Sequence, residues 1–598
     1  MDAETLKEEL LKLHEETDEN QRQDSPYFID NSGYLCRWKQ LKDGVIPVRL
    51  ANFEAQISEE ITEDDGFELT HSYGIEGRIK NKFLPKIEVP ASFFNSLNWL
   101  HKWGSQVILE PGQANKDYVR HAIQVRSNGA RNLTYFTHTG WRQIQGGWCY
   151  LTGGGAIGRD AVSVKLSKEL QRYYLPLKPE NETESIKISL SFLDIGKRAV
   201  TIPLFSLLHL SPLTTILEPM PNFSGYIYGE TGLFKTTLAI LLLSHFGSFD
   251  SINNLSNFDD TANALEKRAF ILKDTLHIID DFCPSIKRID VQHKENLAQR
   301  IIRAYSNRTA RGRLNPDASE KGRYEPRGML LMTGEEIVSL QSTLARLMVA
   351  EISAGDIDKD RLTEFQMKAH LLPHAMSSYI SWLKDHIQEI KKSFPKQFIQ
   401  LRDKAFKEDT HRKLPEQVAF LQFALDTVIS WMVDKGILVE NEALTLSKEG
   451  WDIFIELSNK QSERLEKEDP VRRFEEIIQT LITQGKVKIE DKDIPDSKRV
   501  IGGLQGELIG YYDDFYLYFL PPALWHSLQR YCIAEGSHFP FYKNTFYRML
   551  ANRKLIEVKD GRHVISEWIR GKTQRVLKFI DRGICGNEAR EVRNDSEA

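Results

Sequence analysis

Between Tyr226 and Phe246 the chain reads YIYGETGLFKTTLAILLLSHF, an apolar strand, a loop with two glycines and an apolar helix in immediate succession. Few folds accommodate that order. Gly229 and Gly232 lack a Cβ, so backbone N–H groups can close on an anion. A helix starting near Lys235 points its positive dipole end at the same place. The stretch predicts a strand at Ser224–Tyr228, a buried helix over Thr237–Phe246, and a phosphate-binding loop between them. The loop residues are Gly229, Glu230, Thr231, Gly232, Leu233, Phe234, Lys235, Thr236 and Thr237. Lys235 is placed to reach the β- and γ-phosphates of ATP, and Thr236 offers the hydroxyl that Mg²⁺ takes in such loops. Phe234 stands where a glycine usually precedes the lysine, so its backbone is expected to avoid left-handed angles.

A second element agrees with the first. Asp280 lies 45 positions after Lys235, in TLHIIDDF, an apolar strand ending in two carboxylates. Asp280 is the expected second protein ligand of Mg²⁺, through water, and Asp281 is the candidate to orient or deprotonate an attacking water. A third apolar strand, Met329–Met332, runs into Thr333, Gly334 and Glu335. Thr333 is placed like a sensor of the γ-phosphate or lytic water, and Glu335 is the alternative base. Thirteen residues later Arg346, in QSTLARLMV, is a candidate arginine finger for a neighbouring subunit's nucleotide.

With these residues in order, the series GETGLFKTT, TANALE, LKDTLHIIDDF, RGMLLMTGEE and STLARL resembles a family of AAA+-type ATPases. Its members are encoded by plasmids, prophages and integrating elements, often beside primases. The family's N-terminal domain of unknown function carries a signature similar to HTGWRQIQGGWCYLTGGGAIG at 138–158 here. It is similar in turn to cassette-borne, self-loading replicative helicases and, more distantly, to minichromosome-maintenance helicases. The resemblance spans roughly Tyr27 to Phe579. It implies a hexameric, DNA-translocating ATPase acting on single-stranded or forked DNA, with a primase or other replication protein as partner. Phe234 and Asp281, where many relatives of the wider class have glycine and glutamate, are the departures.

The expected fold class is an α/β P-loop NTPase (AAA+-like) core with a β-rich N-terminal domain, a helical lid and a C-terminal winged helix. The boundaries are an N-terminal helix at 1–25, the β-rich domain at 26–175, a linker at 176–184 and the ATPase core at 185–355, then the lid at 356–468, the winged helix at 469–585 and a disordered tail at 586–598. Trp141 and Trp148 read as core aromatics on a hairpin turning at Gly146-Gly147. His370 and His374 have metal-ligand spacing, but Pro373 breaks the helix that would align them. Asp513-Asp514 reads as a turn between two strands.

Composition excludes little beyond this. At 598 residues, 41% hydrophobic and 27% charged, the chain has ample material for several cores. Five scattered cysteines without a C-x-x-C pair argue against a disulfide framework or zinc module. The charged leading segment is no signal peptide and the longest apolar run is six residues, so the expected location is cytoplasmic, with no membrane contact. Net charge is −5, yet two segments are basic: 300–327 carries eight Lys/Arg against three acids, and 541–578 ten against three. In the first, Arg311, Arg313, Lys321 and Arg323 flank a turn at Asn315-Pro316-Asp317 and are candidates to meet DNA phosphates. In the second, Lys543, Asn544, Thr545 and Arg548 would face outward from a recognition helix, with Lys572 at the wing turn Gly571-Lys572. An ATPase that remodels DNA or protein without unwinding, and a nucleotide-gated binding protein that scarcely hydrolyses, share every one of these nucleotide motifs.

Overall fold

The computed structural model describes residues 25–42, 44–283, 288–314, 320–337, 341–407, 411–494, 506–535, 539 and 541–580. The expected leading helix and the 586–598 tail lie outside the described residues. The chain divides into two compact units. One holds the described residues up to 335 with 350–400 and 420–453; the other holds 336–349, 401–419 and those from 454 onward.

In the first unit β1 (Tyr27–Ile29), β2 (Leu35–Leu41) and β3 (Gly44–Ala51) form an antiparallel sheet. A second sheet is built from β4 (Glu54–Asp64), β5 (Leu69–Ile79), β6 (Lys82–Pro90), β7 (Arg131–Phe136) and, later in the chain, Ser163–Val164; β4 pairs with β5 and β7. β4 escaped the sequence reading because its residues, EAQISEEITED, look like a solvated acidic run. Its alternate positions Ala55, Ile57 and Ile61 are buried, as a half-buried strand requires. Its carboxylates are matched by cations from neighbouring elements: Glu54 by Arg78 and Arg126, Glu59 by Lys86 and Arg131, Glu63 by Lys165. Helix α1 (Asn115–Arg126), also unforeseen, closes the core with Val119, Ala122 and Ile123.

β8 (Gly140–Ile144) and β9 (Gly147–Thr152) form the expected hairpin, but its turn is Gln145-Gly146, one residue earlier than predicted, with both at positive φ. Trp148 is half-buried with the Lys391 ammonium 4.8 Å from its ring centroid, so it is not a core residue. Trp141 is buried, and its indole Nε1 donates to the Pro212 carbonyl at 2.6 Å.

The segment expected as a linker is tied down. Ser377 donates to the Pro176 carbonyl, and Glu182–Glu184 is the first turn of α2 (Glu182–Ser191). After α3 (Arg198–Leu210) comes the parallel sheet. Its strands are β12 (Ser224–Tyr228), β13 (Ser256–Asn257), β14 (Leu276–Phe282), β17 (Met329–Gly334) and β18 (Leu347–Glu351), in the order β13-β14-β17-β12-β18. Here β10 and β11 are Gly155–Ile157 and Ser163–Val164, and β15 and β16 are Arg313–Leu314 and Glu320–Lys321. β12, β14 and β17 are buried almost throughout, the apolar pattern of strands covered on both faces. Helices α4 (Lys235–Leu243), α5 (Ala262–Ile271) and α6 (Arg288–Asn307) connect them.

Among the groups that join the N-terminal strands to this sheet, one buried carboxylate has the most partners. Asp274 precedes β14, is fully buried and has φ +52°. It accepts from the Trp141 N–H at 3.0 Å and from the Thr215 N–H and hydroxyl at 2.8 Å each, with Lys273 Nζ at 3.2 Å. Its own carbonyl accepts from the Tyr150 hydroxyl at 2.6 Å. A Cβ on Gly140 would collide with the Lys273 carbonyl and with the Asp274 carboxylate at 2.7 Å, so the close approach needs glycine there.

Beyond α7 (Lys359–Met367), α8 (Leu372–Ala405), α9 (Lys413–Asp434) and α10 (Glu440–Lys467) are the helices foreseen at 356–468. Pro373 is the second residue of α8, and the His374 Nδ1 accepts from the Glu180 N–H. In the second unit α11 (Pro470–Thr483) starts at Asp469, whose carboxylate caps the N–H groups of Val471 and Arg472. The sheet there runs β19 (Val487–Asp491), β20 (Glu507–Tyr512), β21 (Leu517–Phe519), β23 (Lys572–Phe579) and β22 (Ile565–Ile569) in spatial order. With α11, α12 (Pro521–Ala534) and α13 (Lys543–Asn552) it encloses a core including Phe474, Phe519, Leu528, Phe546 and Phe579. Asp513 makes the foreseen turn, accepting from the N–H groups of Phe515 and Tyr516 and from Lys492 and the Tyr518 hydroxyl. The β22–β23 turn is Arg570-Gly571, so Lys572 is the first strand residue rather than part of the turn.

Asp274→Ala would strand Lys273 and three donors in a buried joint. We expect a loss of about 3–5 kcal/mol of stability, read as a lower denaturant midpoint, with Asp274→Asn intermediate because it keeps one acceptor oxygen. A wild-type midpoint for Asp274→Ala would show that the joint is held elsewhere.

Candidate nucleotide site

The site forms at the carboxyl ends of β12, β14 and β17, where parallel strands of this kind present ligands. The loop after β12 passes close to the chain leaving β18: a Cβ on Gly229 would stand 2.6 Å from the Ile352 carbonyl, so only glycine passes. Gly232 has φ +84°. Phe234 was expected to avoid left-handed angles, and it does not; its φ is +63° and ψ is 17°. The turn that aims α4 at the loop requires that conformation whichever residue occupies it. For a side chain with a Cβ the strain is on the order of 1–3 kcal/mol, held by the surrounding fold. Lys235 Nζ donates to the carbonyls of Gly229 at 2.8 Å and Glu230 at 2.7 Å, which folds the ammonium back over the loop. Glu230, Thr231, Leu233 and Thr237 line the same turn, and the Thr231 hydroxyl donates to Glu335 at the end of β17.

The paired aspartates occupy an irregularity in the sheet. Ile279 pairs with Met332 and Phe282 with Gly334, so Asp280 and Asp281 together stand opposite Thr333. Two residues against one is a β-bulge, a device that re-aims side chains. Asp280 consequently points inward, with 2% exposure, and Asp281 points outward with φ +66°. Thr236 Oγ1 donates to Asp280 at 3.0 Å, and the Thr333 hydroxyl donates to the same carboxylate. Thr333 Oγ1 also accepts from the Asp281 N–H at 3.1 Å. Thr333, expected as a sensor of the γ-phosphate or lytic water, has its hydroxyl on the Asp280 carboxylate and the Asp281 N–H. Burial pushes the Asp280 carboxyl above its ordinary range, the Thr333 and Thr236 hydroxyls pull it back, and the Asp281 charge adds to the rise.

These donors suit ATP and Mg²⁺. Among the described residues no group of three His, Cys, Asp or Glu could hold a metal alone. A hydroxyl and one carboxylate at hydrogen-bond distance are the hard oxygen donors that Mg²⁺ takes when phosphate and water complete its shell.

The remaining candidates fall elsewhere. Arg346 belongs to the second unit, and its guanidinium donates to the Ser342 carbonyl. β15 and β16 pair antiparallel, Arg313 opposite Lys321; the turn at 315–317 lies outside the described residues, and Arg311 and Arg323 are exposed. The basic count of 300–327 overstates the surface charge. Arg327 is buried and donates to the Phe270 and Asp65 carbonyls, Arg308 donates to those of Pro221, Pro326 and Gly328, and Arg300 pairs with Glu266. Lys543 is half-buried, with its ammonium 5.8 Å from the Tyr547 ring, while Asn544, Arg548 and Lys572 are exposed. Sequence reasoning missed Asp274, Thr215 and Arg327, which fix the entries of β14 and β17. The only local signal was LKD before an apolar strand.

No family model matches the sequence, and no curated protein matches it. Among solved structures the chain is similar to one described as "SCCmec type IV Cch - active helicase", with 12% identity, a TM-score of 0.56, and coverage of 93% of this chain and 97% of that one. The two share a fold over nearly their whole lengths, and the core is P-loop NTPase-like. A further similarity, to a JCV helicase at 12% identity over 37% of this chain and 72% of that one, has a TM-score of 0.19, too low for a comparison of folds.

If Asp281 serves as the base, Asp281→Asn retains nucleotide binding, since asparagine tolerates the left-handed backbone, and loses at least about 10²-fold in turnover. Glu335→Gln, which keeps an acceptor for Thr231, then stays near wild type. The opposite result in steady-state ATPase assays assigns the base to Glu335.

Proposed function

We propose that this chain is an ATP-dependent DNA helicase or translocase of a mobile genetic element, hydrolysing ATP at subunit interfaces of a ring. The observation that carries the reading is the site itself. A glycine loop ending in Lys235-Thr236 stands against a bulged Asp280-Asp281 pair within a fold similar, over 93% of the chain, to that of a helicase.

In this reading the N–H groups of residues 229–237 and Lys235 bind the phosphates, Lys235 exchanging its loop carbonyls for phosphate oxygens. Thr236, and Asp280 through water, would hold Mg²⁺, which when bound would supply positive charge to the phosphates. Thr333 fixes the Asp280 carboxylate and the Asp281 backbone, so that Asp281, exposed on the bulge, accepts a proton from the attacking water. Arg346 completes a neighbour's site as a finger. The β15–β16 hairpin, with Arg311, Arg313, Lys321 and Arg323, meets the phosphate backbone of a strand in the channel. The helix α13 and hairpin β22–β23 act as a winged helix, with Lys543, Asn544, Arg548 and Lys572 on DNA. A primase or other replication protein is the expected partner. Among the described residues no helix is long and apolar enough to cross a membrane.

ATPase rate with and without single-stranded DNA, measured beside strand displacement on a forked duplex, tests the whole reading. Stimulation without displacement would favour an ATPase that remodels DNA or protein. Arg346→Ala is expected to lose up to about 10³-fold in hydrolysis, and mixing it with Lys235→Ala should restore part of the rate. Absence of recovery under demonstrated subunit exchange would sink the shared site. Replacing Lys321 and Arg323 together by alanine should leave DNA-free ATPase unchanged, abolish displacement, and flatten the salt dependence of strand binding by about 0.7 log units per lost contact. Wild-type unwinding with an unchanged slope would remove the hairpin from the channel.

A further inference from the structure

The hairpin β22–β23 has one face inside the fold and one outside. Its register pairs Ser566 with Arg575 and Trp568 with Thr573, while Ile565 faces Val576 and Ile569 faces Lys572. Alternate residues of a strand share a face. Ile565, Ile569 and Val576 are buried in a cluster with Tyr511 and Tyr518. The opposite face is Ser566, Trp568, Thr573 and Arg575, and all four are exposed, Trp568 at 69%. Further along β23 that same face carries Leu577 and Phe579 into the core to which Phe546 and Leu550 of α13 belong. The outer face of the hairpin therefore lies on the α13 side of the sheet.

Its charge is uneven in a telling way. Arg570 is neutralised by Glu490, and Lys578 takes both Glu557 and Glu567. Among the described residues Arg575 and Lys572 have no such acid, and neither do Arg548, Lys559 and Arg562. The cation left without an acid on this face makes a polyanion the fitting occupant, and the exposed indole on an otherwise polar face offers it one flat apolar surface. A base offers the indole a π-face, and the adjoining phosphates offer the cation their charge. Intact duplex offers phosphates but no free base face along its length.

We propose that this outer face is a platform for single-stranded nucleic acid, with Trp568 stacked on an unpaired base and Arg575 on the phosphates beside it. The proposal rests on the reading that the chain works on DNA, and adds a contact that recognises unpaired bases.

Binding of the full chain to an oligothymidine strand and to a blunt duplex of equal length tests it. Trp568→Ala should weaken strand binding about tenfold or more, leave blunt-duplex affinity and the salt slope unchanged, and keep DNA-free ATPase at the wild-type rate; Trp568→Phe should recover most of the loss. Arg575→Ala should lower the salt slope by about 0.7. A strand carrying 2-aminopurine should be quenched by the wild-type chain and less so by Trp568→Ala. Wild-type strand affinity in Trp568→Ala, or an equal loss on blunt duplex, overturns the platform and leaves the helicase reading standing. A wild-type chain that binds no strand overturns both.

Discussion

The carboxylate of Asp274 is the point on which the first unit depends. It sits at zero exposure where the N-terminal strands meet the parallel sheet, and its oxygens are met by Trp141, Thr215 and Lys273. A buried charge with this many partners is tolerable; the same charge with one partner removed costs several kcal/mol. The joint is therefore all or nothing. Because Asp274 lies two positions before Leu276, the first residue of β14, whatever holds it also fixes where that strand begins, and so where Asp280 and Asp281 fall. Arg327 does the same for β17: its guanidinium binds the Phe270 and Asp65 carbonyls and stacks 3.7 Å over the Phe270 ring. Both central strands of the site enter through contacts with the N-terminal domain.

At the other end of those strands the backbone is under strain. Phe234 and Asp281 both hold positive φ without being glycine. Such residues persist only where the surroundings over-determine them. Here the surroundings are visible: the Gly229 passage beside Ile352, the bulge against Thr333, and the Thr231 bond to Glu335. Strain of this kind positions a loop without needing ligand to do so, which is the form of preorganisation a phosphate site uses.

Charge has the least predictable fate. Ten cations in 541–578 and eight in 300–327 look alike as counts, yet their environments differ. In the earlier segment Arg308 and Arg327 are engaged by backbone carbonyls and Arg300 by Glu266, so part of its charge is internal, while Arg311 and Arg323 are exposed. In the later one the acids converge on Lys578, leaving cations at the surface. The strand β4 makes the converse point, since its acidic run is neutralised from both sides and lies inside a sheet.

Several features were legible in the sequence because they are local. The strand, loop and helix at 224–246, the apolar strands before Asp280 and Thr333, the helix at 543–552 and the Asp513 turn follow from spacing, glycine and capping chemistry within a few residues. The tertiary structure decided the rest. Which hydroxyl meets Asp280, the bulge that turns Asp281 outward, the register of the turns at Gln145-Gly146 and Arg570-Gly571, and the docking of Trp141 depend on partners far away in the chain. Trp141 and Asp274 are 133 positions apart, and no periodicity in either segment encodes the other. A sequence read alone carries the backbone's local preferences. The pairing of a buried charge is fixed only when the chain closes around it.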